Sequence, residues 1–586
     1  MFWPIIILLS GICYAAEELD PVEVTATKEL SEFHLGSSQS LQTETNSTVL
    51  LNGSVDDATG VVSSQNGGPG SRTSYFIRGT EARHVSFTID NLKLNDPSNT
   101  DRQYDAAFLT TPFLRDITLY KGPQAVLFGS DAMGGLVDMR TRKGENAPET
   151  RATFNAGSFG TADASLSQDW HSKKGKGTLT WTSFRTDGIS RLNKKRFNAK
   201  ERDAADITQL TSSSTYSWNQ KLETDLLVSF LRGNNELDGF MDDNTHDKSR
   251  GDQYLLQQRT HQEVSAHSTI SLRNGFSRHQ RNLKTLSVGE NSFAGDLIQN
   301  ELLFNFEKGD LKLITGVAIE KEQFEQSGAN EYADLNSAFV QTSLKKGSFT
   351  WQGGLRADSH SRYGHYYTGS TGLSYEVAES VVALQFSQGF KAPSLYQLYA
   401  DPLFGAPIGN KDLMPEKNNA VEARWTYGIL DVAVFRNALS NIITFTNQGY
   451  RNQERFVAQG IELAADFKQH SFRLRPSMTM QEFKEEKTPV LRRPTSSLGL
   501  DASWFPYESL ELFTKIRAFN HRNDIDENGS LVKLHGFETV SLGSKLSWSE
   551  HEYGVQVLNL TDREYEEVYA YSIMPRSLFF HYGISL

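Results

Sequence analysis

From about Thr150 to the last residue, the chain alternates with a period of two, and its connections are alternately tight and long. In Leu311–Glu320, residues Leu311, Leu313, Thr315, Val317 and Ile319 share one face, and Lys312, Gly316, Ala318 and Glu320 share the other, with Ile314 as an exception. The final stretch repeats this: Leu578, Phe580, Tyr582, Ile584 and Leu586 oppose Ser577, His581, Gly583 and Ser585, with Phe579 out of step. Leu226-Val228-Phe230 and Val382-Leu384-Phe386 follow the same pattern. A soluble sandwich also alternates, so the connections decide between the two. Tight ones fall at His171–Gly177, Lys308-Gly309, Lys345–Gly347, Gly428–Asp431, Lys468–Ser471 and Ser549–Glu552. Long polar ones fall at Gly188–Ala205, Asn234–Asp252, Lys391–Lys417 and Phe519–Lys533. Short turns on one rim and long loops on the other characterise outer-membrane barrels. Counting strands between them gives about 22, an even number that keeps turns and loops in phase, and a barrel of that size carries a plug in its lumen.

Composition agrees with strands rather than helices as the spanning elements. Mean hydropathy is -0.47 and no apolar run after the leader approaches ~20 residues. Yet Phe, Tyr and Trp number 35, 21 and 8, as expected where only every second residue meets lipid. The net charge of -12 argues against a nucleic-acid surface. The start reads as a signal peptide over residues 1–16: an apolar run Ile5–Leu9 too short to span a bilayer, then Cys13-Tyr14-Ala15-Ala16 with cleavage after Ala15 or Ala16. The single cysteine, Cys13, lies in this leader, so the mature chain holds neither disulfides nor thiolate metal sites.

Between leader and barrel lies Tyr75–Gly144, with short apolar strands at Val85–Ile89, Ile117–Tyr120 and Leu136–Met139. Glycine-rich turns join them at Ile77-Arg78-Gly79, Lys121-Gly122-Pro123 and Gly129–Gly135, where φ > 0 or a close backbone approach is needed. These three turns in this order resemble the plug domain of TonB-dependent outer-membrane receptors. Upstream, Pro21-Val22-Glu23-Val24-Thr25-Ala26 is an extended segment suited to adding a strand to a partner's sheet edge. Placed between a leader and a plug, it resembles a TonB box. The division expected is 1–16 leader, 17–45 TonB box and linker, 46–146 an α+β plug, and 147–586 an all-β transmembrane barrel.

Further motifs resemble the cobalamin-receptor branch: Gln65–Gly68, Phe76–Gly79, Gly129–Ala132, Phe390–Tyr399, Leu413–Lys417, Leu491–Arg493 and Asn559–Tyr565. The resemblance implies energised uptake with TonB and its inner-membrane complex as partner, no enzymatic activity, a monomer in outer-membrane lipid, and a plug and N-terminus facing the periplasm. It implies ligand contacts on two plug apices, through Ser71, Arg72 and Thr73 and through Leu94, Asn95 and Asp96; Tyr396 and Tyr399 are further candidates. Within the plug, Arg78 stands beside glycines from which its guanidinium can reach the wall. On the strand Gln459–Phe467, lipid-facing Ile461, Leu463 and Phe467 turn Glu462 inward, and Glu416 begins another strand. Arg78, Glu416 and Glu462 are thus expected to couple plug to barrel, the alternative being solvated lumen charges. No cofactor is required on this reading. The branch orders two extracellular loops with calcium on Asp side chains, and the corresponding loops carry Asp203 and Asp206, then Asp238, Asp242 and Asp243. A solvated acidic loop is the other reading of these residues.

No G-x-S-x-G, H-E-x-x-H or Walker loop occurs, which leaves an outer-membrane enzyme without a signature, and a passive porin would not need the TonB-box-like segment. The expected ligand is cobalamin or another corrinoid, with haem or a ferric siderophore as the alternative. Gly, Ser, Thr and Asn at the apices suit a ligand bordered by neutral amides, whereas a ferric catecholate calls for a basic vestibule. Haem would need an axial His or Tyr, for which Tyr104, Tyr396 and Tyr399 are available along with His84 and His246, although His84, following Arg83 in an expected strand, reads as a structural residue.

Overall fold

The computed structural model describes residues 33–41, 48–51, 55, 58–144, 149–239, 242–286, 289–326, 329–400, 408–485 and 489–586. Twenty-two antiparallel strands close into a barrel, from Thr150–Gly157 to Ser577–Ser585, and the last pairs with the first (Phe579↔Gly157 to Ser585↔Arg151). Alternation has its expected cause: Val317 and Ile319 are exposed on the outside, and Gly316, Ala318 and Glu320 are buried on the inside. The two exceptions also face inward. Ile314 packs in a buried cluster with Phe128 and Leu136 of the plug, and Phe579 closes over Gly157. An apolar residue out of step therefore marks a place where the wall meets something other than water. Trp170, Trp218, Trp351, Trp425, Trp504 and Trp548 lie exposed near the short turns, forming an interfacial girdle at that rim.

The long connections carry structure of their own. Asn234–Asp252, read from sequence as a loop, is the continuation of two paired strands, Leu222–Gly239 and Asp242–Ser265, standing beyond the membrane. There the outer face meets water rather than lipid, so the apolar–polar alternation that identifies a lipid-facing strand vanishes. Phe519–Lys533 contains a strand pair, Arg522–Ile525 with Leu531–Leu534, and Lys391–Lys417 opens with the short helix Leu395–Tyr399.

Inside the barrel sits a five-stranded plug sheet in the order Ser38–Leu41, Leu114–Lys121, Gly135–Thr141, Val85–Ile89, Leu92–Lys93. All neighbours are antiparallel except Val85–Ile89 with Gly135–Thr141. Tyr75, Phe87, Ile89, Leu114, Ile117 and Val137 form its core with barrel residues Leu227, Leu231 and Leu255. A separate hairpin, Val61–Gln65 with Thr73–Ile77, carries the apex residues 66–72. The signal peptide, Cys13 and Pro21–Ala26 lie outside the described residues.

Candidate functional site

At the end of strand Thr73–Ile77 the backbone turns through Arg78 (φ 49°) and Gly79 (φ 72°), both left-handed. A Cβ on Gly79 would meet Phe483 of the wall at 2.3 Å, so glycine lets the turn press against the barrel. That delivers Arg78 to the wall at 2% exposure, with its face on the Phe435 ring at 4.8 Å. Its NH1 donates to Glu422 Oε2 (2.8 Å), Nε and NH2 to Glu462 (both 3.0 Å), and NH2 also to Ser37 Oγ (2.9 Å). Ser37 in turn donates to Glu422 from its N–H (2.8 Å) and from its hydroxyl. Lys121 Nζ completes the site on Glu462 Oε2 at 2.9 Å. Burial opposes charge on Arg78, but the two carboxylates outweigh it and hold the guanidinium above its ordinary value. Burial pulls Lys121 below its own, against the attraction of Glu462.

Glu462 thus faces inward as strand parity predicts, and Arg78 is held by two carboxylates as expected, but the second is Glu422 rather than Glu416. Six residues along one strand separate Glu416 from Glu422, about 20 Å at the usual rise. Glu416 lies toward the extracellular end and engages other plug residues: His84 Nε2 (2.8 Å) and Arg83 NH2 (3.1 Å). It remains a plug–barrel contact of its own. His84 is fully buried there, and His246 is exposed on the projecting hairpin. A third cluster was not anticipated. Asp131 joins Lys391 Nζ (2.7 Å) to Arg102 NH2 (2.9 Å), and Lys93 Nζ meets Glu320 at 2.6 Å. Burial raises the Asp131 carboxyl, but Arg102 and Lys391 overcome it and bring it down to about 2.

Toward the extracellular side, the apex residues divide. Arg72 is exposed, with NH2 on Gln103 Oε1 at 3.4 Å. Ser71, Thr73, Leu94, Asn95 and Asp96 are buried. Asn95 accepts from Ser86 Oγ and donates to Arg102 O, and Asp96 accepts from Ser98 N (2.8 Å). Tyr104 is also closed off, its hydroxyl on Gln253. Tyr396 and Tyr399 stay half-buried on the helix that Ser394 and Gln397 cap. Arg362 and Lys411 approach the Tyr399 ring at 5.2 and 5.1 Å, making a small aromatic and cationic patch.

Residues 142–560 match the family model described as TonB dependent receptor-like, beta-barrel, and residues 38–136 match that of the TonB-dependent Receptor Plug Domain. The chain belongs to the TonB-dependent receptor family. Solved structures share its fold. The siderophore receptor PirA from Acinetobacter baumannii aligns at TM-score 0.81 and 15% identity over 96% of this chain and 100% of its own. The ferric-catecholate import receptor Fiu from E. coli aligns at 0.78 and 13%, covering 95% and 97%. The FrpB iron transporter from Neisseria meningitidis aligns at 0.81 and 11%, covering 94% and 100%. As a TonB-dependent receptor, the protein is an outer-membrane barrel that works with TonB on a small-molecule ligand.

The receptor's acidic loops bring together part of the predicted metal set and add one residue. Carboxylate oxygens of Glu201, Asp203 and Asp238 lie within 4.8 Å of one another. Asp243 sits beside them, accepting from Ser190 Oγ (3.1 Å) and Lys200 N (2.8 Å). Asp206 points away to Asn234 Nδ2 (2.8 Å), and the side chain of Asp242 lies outside the described residues. Glu201 escaped the sequence reading, which considered aspartates alone. Burial, reinforced by Asp238, pushes the Asp203 carboxyl up to about 7; burial, then Asp203 and Asp238, push Glu201 up to about 8. Asp203 Oδ1 and Glu201 Oε1 are buried with no partner among the described residues, so the set fits a hard oxygen-seeking cation. The cluster abuts the plug apex: a Cβ on Gly67 would meet Arg191, whose N–H donates to Asp203 Oδ2 at 2.7 Å.

Proposed function

We propose that this receptor captures a corrinoid at its outer face and imports it with energy delivered through Pro21–Ala26. The observation that carries the transport reading is the Arg78 site: a plug held in the lumen by a buried but charge-balanced set of contacts can be retained at rest and released by a modest pull. The extracellular carboxylates support the choice of ligand. Glu201, Asp203 and Asp238 beside the apex offer a polyanion no compensating cation of their own, whereas a neutral-rimmed corrinoid needs none, and calcium would brace both loops around it. A ferric siderophore is the second reading, favoured by the cationic patch of Arg362, Tyr399 and Lys411. Binding of purified receptor to cyanocobalamin, haemin and ferric enterobactin, each with calcium and with EDTA, separates the readings. Sub-micromolar, calcium-strengthened binding of cyanocobalamin is expected; tight binding of ferric enterobactin alone would replace the corrinoid. Val24→Pro, which removes a strand-pairing N–H, should abolish uptake and spare binding. Undiminished uptake by that variant would remove the TonB-box assignment.

A further inference from the structure

Arg78 and Arg522 are equally buried, each 2% exposed, but their hydrogen bonding is opposite. Arg78 donates from all three of its nitrogens, whereas Arg522 Nε, NH1 and NH2 are buried with no acceptor among the described residues. We propose that Arg522 is an oxyanion subsite of the receptor, taking a phosphate or carboxylate group carried by the imported molecule. The inference rests on the receptor reading above; for a corrinoid, the group is the single phosphodiester of its nucleotide tail.

Arg522 opens the extracellular strand pair Arg522–Ile525 with Leu531–Leu534. Its guanidinium lies against the Phe519 and Phe537 rings at 5.5 and 5.1 Å, and Tyr565 stacks on Phe537 at 3.8 Å. Aromatic faces hold a cation in place, but they leave its in-plane N–H groups without acceptors. The acids nearby are committed elsewhere. Asp524 accepts from Arg492 Nε with both oxygens (3.1 and 3.2 Å), from Tyr569 N (2.7 Å) and from Ile525 N (3.0 Å). Glu567 accepts from Gln65 N of the plug hairpin at 3.1 Å. Burial pulls the Arg522 guanidinium below its ordinary value, and the attraction of Glu567, Tyr565 and Asp524 does not make up for it. A buried charge without hydrogen bonds is costly, so a hairpin that retains one is built for a partner from outside. A guanidinium with both edges free matches an oxyanion in a bidentate fork. The position suits a ligand as well. Gln65 leads directly into apex residues 66–72, and a Cβ on Gly68 would lie 3.9 Å from Met574 Sδ, in the same loop as Glu567. A molecule resting on that apex therefore meets the loop that adjoins Arg522.

Hydrogen exchange of the purified receptor, treated with EDTA, tests the site with inorganic phosphate as the probe. Phosphate should slow exchange over residues 519–537 in the native receptor and have no effect there on Arg522→Met. Without phosphate, that variant should exchange no faster than the native chain, because the substitution removes an unpaired charge and keeps an apolar side chain against Phe519 and Phe537. Three outcomes would overturn the proposal. Faster exchange in the phosphate-free variant makes Arg522 a structural strut, protection that survives the substitution places the anion elsewhere, and no protection of the native receptor leaves no anion site. Two corrinoids then separate a ligand's own group from a free ion, since cyanocobalamin carries the phosphodiester and dicyanocobinamide lacks it. The native receptor should prefer cyanocobalamin by about tenfold or more, and Arg522→Met should bring the ratio within about threefold by weakening cyanocobalamin alone. Equal weakening of both would overturn the assignment to the ligand. Binding of neither corrinoid, with phosphate protection intact, would instead overturn the choice of corrinoid and leave the oxyanion site standing.

Discussion

At Arg78 two cations meet two carboxylates, and every polar atom of the guanidinium has a partner; at Asp203 three carboxylates converge, and two of their oxygens have none among the described residues. Both sites join plug to wall or loop; the inner one is buried, whereas in the outer one Asp203 is buried and Glu201 and Asp238 are half-buried. The inner one is complete within the protein, so its contribution is retention. The outer one is incomplete, so its energy depends on what the surroundings supply, a proton or a cation. A transporter needs both: a constant hold on the plug, and a sensitive rim where the ligand arrives.

The comparison is broken most severely by uncompensating the inner site. Arg78→Met leaves Glu422 and Glu462 buried with Lys121 alone, and removing one side of a buried ion set costs about 3–5 kcal/mol. The expected result is a barrel that still resists SDS at room temperature and shifts on boiling, with a plug newly open to protease and raised ion conductance. The double change Arg78→Met/Glu422→Gln should recover most of that hold, because the remaining carboxylate, Glu462, is still paired with Lys121. A single variant as tight as the native receptor would show that the cluster is incidental.

Next in size is the pH response of the outer site. Carboxyls held at about 7 and about 8 when folded, against ordinary values near 4, bind protons more tightly in the folded state. Their contribution therefore falls as pH rises from about 4 through about 8, the reverse of a salt-bridged acid. Cation binding displaces those protons, so calcium affinity should rise about tenfold per pH unit between pH 6 and 7 for each proton released. Isothermal titration across that range checks it; a flat affinity would mean that Asp203 and Glu201 are already ionised without the metal.

How much of this was legible follows the membrane. Within the bilayer one face of each strand meets lipid, and parity alone turned Glu462 inward between Ile461 and Leu463. The same rule applied to Val421-Glu422-Ala423 yields Glu422, the residue overlooked. Ser37 left no such trace, because its role depends on a chain segment folding back against a strand nearly 400 residues away in sequence. Beyond the membrane the rule fails, which is why Asn234–Asp252 read as a loop although it continues two paired strands. Apex residues rich in Ser, Thr and Asn look like ligand donors in sequence, but Asn95 and Asp96 spend their hydrogen bonds holding their own turn.

The smallest effect sharpens the comparison most finely. Asp203 ends an acidic loop and Asp206, three residues on, lies in the strand that follows it, and composition cannot tell them apart. Asp206 accepts from Asn234 Nδ2 on the neighbouring strand, while Asp203 lies beside Glu201 and Asp238 with its Oδ1 unpartnered among the described residues. If the outer site works as a directed set of oxygens, Asp203→Asn removes a ligand charge and should weaken calcium binding by tenfold or more, whereas Asp206→Asn should change it less than about twofold, the effect of one surface charge screened by salt. If instead the loops act as a diffuse acidic field, the two substitutions remove the same charge from the same neighbourhood and must weaken binding alike. Calcium titrations of the two variants at one ionic strength decide between these cases, and equal losses would reduce the cluster to an ordinary solvated loop.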